Sequence, residues 1–461
     1  MSIVTGSSLV LLRPRPLETV SGSLLLLPLL PTKVPPKALP LEVWEKILLY
    51  VLDRDIDNPG PPILGVTKPV GGSRVDILLV CKGLKNTALP LFYNHARITS
   101  LASLEKFAAL LHAADQSWDS LRRIPYSAPG RWVQTLDLSM LNCALRAEAC
   151  RIDSLLTRLF TILPFLTRYI LNPSIVLSRP ATTALSCKEG ISNLQVLKGM
   201  KGLLSARSIT AIDEEPLVQV LRVCPKLTQL EVIGPGVESI DLDEPEVLDL
   251  TLPSDFVPLH LPNLHTLTIL STHSSPLLFA LLHSPLPSLR DLTVTPYDDV
   301  PYPTSLVSHF IDTHGTYLRH LNLFTPKVWP HKRYTSPPTL LLTSPHVKHL
   351  SLESPLPHLT LTSNSASITT HPVQVLSIPR PDSQFLALLE RILPALPSLK
   401  AVRTRDARWL KKGISSRALE AGVQGELREW RRRLGRHGIR ILDADWTEYV
   451  EVGPIGMRRQ K

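Results

Sequence analysis

Three sets of side chains in this sequence have types and spacings that could do chemistry. His346 and His349 lie three residues apart, close enough in sequence to share one metal ion. A tetrahedral site needs further ligands, and no neighbouring Cys or carboxylate completes the set, so they read as surface histidines. Arg428, Arg431, Arg432, Arg433 and Arg436 flank Trp430, a combination that can stack on nucleic-acid bases. Yet Leu419, Val423, Leu427, Trp430 and Leu434 fall on one helical stripe, with Ser415 or Ser416 placed to cap it. Trp430 is then core. The arginines form a solvated face near a helix C-terminus, where positive charge is favourable, so nucleic acid is not the expected partner. Gly438 can end that helix before a strand at Ile439 to Leu442. The five cysteines, Cys81, Cys143, Cys150, Cys187 and Cys224, are odd in number and form no CxxC pair. Neither a disulfide framework nor a zinc site is expected, and a reducing compartment fits. No P-loop, GxGxxG, HExxH or Ser–His–Asp order occurs, so the expectation is no enzyme, no cofactor and no metal.

The elements that must position any site follow from rhythm. The chain has 461 residues, 43 of them Pro, and the prolines interleave with Leu-rich runs rather than polar tracts, which suggests regular punctuation between short elements. Residues 1–37 hold six prolines and no sustained period, and read as a disordered Pro/Leu-rich leader. Leu24 to Leu30 is too short, too late and too broken by Pro28 for a signal peptide, and nothing approaches the roughly 20 apolar residues of a membrane span. The expected location is cytoplasmic or nuclear. From Leu39, apolar residues recur at helical spacing, with Pro40 in the first turn. A Pro/Gly-rich loop at 53–76 follows, then two short helices, giving an all-helical module over 38–95. A linker helix is expected within 96–130, where Leu104, Phe107, Leu110 and Leu111 share a face.

After Trp132 a six-residue motif takes over: apolar, two variable, Leu, one variable, apolar. Examples are Val133 to Leu138, Leu227 to Val232, Leu264 to Ile269, Leu289 to Val294, Leu318 to Leu323, Val347 to Leu352 and Val373 to Ile378. A weaker copy starts at Leu399, and degenerate copies lie at Phe165 to Ile170 and Asn193 to Leu197. Steps between the central positions Leu267, Leu292, Leu321, Leu350, Leu376 and Val402 are 25, 29, 29, 26 and 26 residues. That period, with strand-like alternation after an apolar helical run, predicts a leucine-rich-repeat-like α/β solenoid over 131–446 with a mainly parallel sheet. Pro225, Pro262, Pro287 and Pro397 are expected to end the helix of their units. Of the net charge of +10, most sits after residue 399, where 16 Lys and Arg face 8 Asp and Glu; residues 447–461 form a basic tail.

Leu39-Pro-Leu-Glu-Val-Trp-Glu-Lys-Ile-Leu-Leu-Tyr-Val51 resembles the opening of an F-box. Ile77 to Leu84 is similar to the second F-box helix, and Ala88 to Tyr93 to the third, in fungal F-box proteins. Arg131 to Ser139 resembles the first repeat that follows in that group. The loop 53–76 is longer than the family places there, which loop-closure entropy tolerates at about 0.6 kcal/mol per doubling. The resemblance implies a substrate receptor of a cullin–RING ubiquitin ligase. Its helices would bind a Skp-family adaptor through Leu39, Pro40, Leu41, Val43, Trp44, Ile47, Leu48, Leu79, Val80 and Cys81, and its repeats would hold an unidentified target protein. So small a helical unit cannot turn all these apolar groups inward, which itself points to a covering partner. A repeat scaffold unrelated to ubiquitin is the alternative, with these helices as an end-cap. For the target, strand positions facing away from the core are the expected surface: Asp291, His320, Asn322, Phe324, His349, Ser351 and Glu353, with Phe324 as the apolar anchor.

Overall fold

The computed structural model describes residues 39–53, 74–116, 129–143, 145–201, 215–234, 256–271, 275–296, 305–326, 335–361, 370–409 and 422–448. The expected leader, most of the 53–76 loop, Ser415, Ser416, Leu419 and the tail beyond 448 lie outside the described residues.

Each copy of the motif forms a strand at its second half, because alternating apolar and polar positions let one face pack while the other stays open. The strands are β1 (His95–Arg97), β2 (Thr135–Leu138), β3 (Arg168–Leu171), β4 (Val196–Lys201), β5 (Gln229–Ile233) and β6 (Thr266–Leu270), followed by β7 (Asp291–Val294), β8 (His320–Leu323), β9 (His349–Ser351), β10 (Val375–Ile378), β11 (Ala401–Thr404) and β12 (Arg440–Leu442). They make one 12-stranded sheet in chain order with every pairing parallel. The degenerate copies at 165–170 and 193–197 supply β3 and β4, in register with their neighbours. One strand went unforeseen. His95–Arg97 carries no leucine pattern, yet it pairs with β2, so the sheet starts before residue 131.

Helices alternate with these strands. They are α1 (Leu41–Asp53), α2 (Lys82–Asn94), α3 (Leu101–Gln116), α4 (Pro129–Trp132), α5 (Arg146–Phe160) and α6 (Arg179–Ser186), then α7 (Pro216–Arg222), α8 (Pro276–Leu282), α9 (Leu306–His314), α10 (Leu340–Thr343), α11 (Ser383–Ile392) and α12 (Gly422–Gly435). Their starts are written in the sequence. Ser178, Ser275, Ser305 and Asp382 cap α6, α8, α9 and α11 by accepting a backbone N–H, and Pro216 and Pro276 open α7 and α8 where no N–H is missed. The result is an α/β architecture of helix–turn–strand units, compatible with a solenoid. Pro225, Pro287 and Pro397 sit in the turns between helix and strand; Pro262 instead follows the extended residues 256–261, so it ends no described helix.

The N-terminal helices differ from expectation in their boundaries. Arg74–Leu79 is a 3-10 turn, and Lys82–Asn94 is one helix rather than part of two. Extended Cys81 separates them and caps α2 by accepting the Leu84 N–H, while Pro90 is absorbed within α2. The 96–130 segment is also more than a linker: α3 buries Leu104, Ala108 and Leu111 in the common core and packs against α5, while Leu110 stays exposed.

The core is a single apolar cluster running from Ile98 to Ile441. Polar groups join successive units at its margin. Lys188, buried, donates to the carbonyls of Leu163, Pro164 and Glu189, and burial lowers its pKa to about 8. His314 donates from Nε2 to Leu282 O, and His371 to Ser344 O at 2.9 Å. Trp430, which the stripe placed in the core, is buried and lies parallel to Phe385 at 6.4 Å. Gly438, at φ +74°, ends the turn before β12.

Two consequences can be measured. Gly199 has φ +70° at the bulge where the β4–β5 register shifts, and a Cβ there would sit 1.9 Å from Leu171 O. Gly199→Ala therefore combines strain with a backbone clash and should cost at least ~2 kcal/mol in denaturant unfolding. Burial lowers the pKa of His314 and His371 below the ordinary 6.5, so the unfolded chain takes up their protons first as pH falls. Their contribution is intact above pH 6.5 and is lost as pH drops from 6.5 toward the lowered folded values. Denaturant midpoints measured between about pH 7.5 and 5.5 should fall, and His371→Gln, which keeps a donor without the titration, should flatten that fall.

Candidate functional site

Two surfaces hold the sequence-derived site residues. The first is the outside of α1. Among residues 41–50 of this helix, Leu48 turns inward, at 4% exposure, so it anchors α1 within the protein and does not belong to an outward-facing set. Leu39, Pro40, Leu41, Val43, Trp44 and Ile47 are all exposed, Leu41 at 57%. Leu79, at the end of the 3-10 turn packed against α2, and Val80 just after it are exposed at 77% and 70%. Cys81 is exposed, but its sulfur is used as the α2 cap. The two stretches thus present unsatisfied apolar surface, far more than scattered surface leucines would.

The second surface is the open face of the sheet at β6 to β9. Strand register puts Thr266, Asp291, His320 and His349 side by side. Thr266 Oγ1 donates to Asp291 Oδ2 at 3.4 Å, and the other oxygen of Asp291 bonds His320 Nδ1. The His320 and His349 rings meet edge to face with centroids 4.6 Å apart. Burial first, then the nearby His320 and Lys348, lower the His349 pKa, so a neutral His349 sits in the array at pH 7. Two residues further along the strands, Asn322 Nδ2 lies 3.5 Å from Thr293 Oγ1 and Ser351 follows in register. Phe324 stands 41% exposed beyond the end of β8. The row therefore offers hydroxyl, carboxylate, imidazole and amide groups beside one aromatic, a set suited to binding a peptide surface.

Glu353 does not join it. Its side chain is 11% exposed and accepts from Thr325 N, Ser354 N and Arg405 Nη2, the last at 2.9 Å. Arg405 also donates to Leu323 O and Leu352 O, so one guanidinium spans the ends of β8 and β9 from its place after β11. Sequence reasoning missed Arg405 because its partners lie 52 to 82 residues away; the local motif carries no trace of them. His349 contacts His320, and no group of three or more His, Cys, Asp or Glu able to hold a metal occurs among the described residues.

Grooves also open where the strands begin. One of about 490 Å³ lies between α2 and the starts of β2 to β4, lined by Leu91, Trp132, Phe165, Gln195 and Lys226. Another of about 410 Å³ lies below β7 to β9, lined by Arg290, Tyr317, Arg319, His346 and Lys348. No helix of the described residues is long and apolar enough to cross a membrane. Comparison with known proteins adds no relative: no family model matches the sequence, and no curated protein matches it.

Arg405→Met strands a buried carboxylate and should cost about 3 kcal/mol, measured by denaturant unfolding, with the double variant Arg405→Met/Glu353→Gln less destabilised than Arg405→Met alone.

Proposed function

We propose that this chain is a non-catalytic adaptor of the F-box kind. In this reading the outside of α1 with Leu79 and Val80 docks a Skp-family adaptor of a cullin–RING ubiquitin ligase, and the repeats carry a target protein. The observation that supports it most is the apolar outer face of α1. A helix exposing Leu41, Val43, Trp44 and Ile47 loses the transfer free energy of each side chain left in water, on the order of 1.5–3 kcal/mol when fully buried, unless a partner covers them. The plain alternative, that α1 merely caps the end of the repeat array, fits the packing less well. α2 packs on β1 and α4, and α3 packs on α4 and α5, so other helices already occupy that end while α1 packs on α2. The proposed setting is the cytoplasm or nucleus, consistent with five cysteines that are all free.

The experiment is capture of purified Skp-family adaptor by the full chain. Pro40→Ala/Leu41→Ala should abolish capture while leaving the thermal midpoint unchanged, because both side chains are exposed. Undiminished capture by that variant, or none by the parent chain, would overturn the reading and leave a repeat scaffold outside the ubiquitin system.

A further inference from the structure

From β2 to β10, the residue just before each strand sits on the same edge of the sheet, and its carbonyl accepts two N–H groups from the next unit. Arg290 O takes the N–H of Arg319 and His320; Arg319 O takes those of Lys348 and His349. This ladder holds Arg290, Arg319 and Lys348 on neighbouring rungs, at the ~4.8 Å spacing of adjacent strands. All three side chains are exposed, and none pairs with a carboxylate among the described residues. Like charges on adjacent strands repel, so the row carries an electrostatic cost that an anion would relieve. Together with His346 and the exposed ring of Tyr317 they line the 410 Å³ groove.

We propose that this groove binds a short, extended acidic segment of a partner protein, its Asp or Glu carboxylates seated on Arg290, Arg319 and Lys348. Arginine forks match carboxylates with two parallel hydrogen bonds, and Tyr317 with Pro287 supplies an apolar wall for the peptide stem. The length of the row decides between anions. Three rungs span about 10 Å, which an extended peptide covers in about three residues. The adjoining rungs are His265 and Gln374, neither of them Lys or Arg. A nucleic-acid backbone gains its affinity from many phosphates, roughly 6–10 in strong binders, and finds too few cations here. The inference rests on the repeats being a partner surface and not on what α1 docks.

The test is fluorescence polarisation with the full chain and a fluorescein-labelled dodecapeptide of alternating Glu and Ser, alongside its Gln–Ser counterpart and a dodecathymidylate. The Glu peptide should bind at least about tenfold tighter than either of the others and weaken as salt rises. Arg290→Gln/Arg319→Gln/Lys348→Gln should reduce that affinity at least about tenfold, whereas the charge-matched Lys106→Gln/Arg158→Gln/Arg436→Gln should leave it within about twofold. Neither triple removes a buried group, so circular dichroism and the thermal midpoint should match the parent. Equal losses in the two triples, no binding of the Glu peptide, or tighter binding of the oligonucleotide would each overturn the proposal. The assay contains no adaptor, so its outcome is separable from that of the α1 capture experiment.

Discussion

One row of side chains holds this protein together. Leu136, Tyr169, Leu197, Leu230, Leu267, Leu292, Leu321, Leu350, Leu376, Val402 and Ile441 occupy matching register positions on eleven successive strands, and none is more than 2% exposed. A strand of three to six residues cannot shield such a side chain alone. Burial of each depends on the unit before and the unit after, which is why stability in a stacked array is a sum of neighbour terms. A one-residue slip would turn the row to the open face, so the row also fixes register.

Register in turn decides what the outer surface can be. Because Leu292, Leu321 and Leu350 are stacked inward, Asp291, His320 and His349 must stand together on the open face, and Arg290, Arg319 and Lys348 must line up on the edge. Neither row needs a loop to assemble it. Side chains placed this way ride on the most buried part of the molecule, which gives a binding surface its rigidity without tertiary closure around it.

How much of this was legible follows from the range of each interaction. The leucine spacing foretells ten strands, β2 to β11, strongly or weakly, and the alternation foretells which residues face out, because both are local to six residues. β1 was invisible: His95-Ala-Arg97 has no leucine, and only pairing to β2 makes it a strand. The same alternation assigns Glu353 to the open face, but a guanidinium from 52 residues away draws it inside. Leu48 reads like its exposed neighbours because helical spacing tells that one face differs, not which one packs. The basic edge lies within the motif, as Arg, Arg and Lys at the second position of three successive copies, a position that precedes the strand and that the repeat pattern leaves variable.

The two surfaces are unlike in the physics they offer. α1 exposes Leu41, Val43, Trp44 and Ile47; a partner covering them gains by removing water from apolar surface, a term that depends little on salt. The edge and open face of β7 to β9 are charged and polar; a partner there gains orientation and encounter rate, and loses both as salt screens the charges. Since α1 packs on α2 rather than on the repeat strands, occupying one surface does not remove atoms from the other. The proposed adaptor role requires this separation, because a chain holding two proteins at once must keep the two surfaces independent, and here the helical module and the array are stabilised through different contacts.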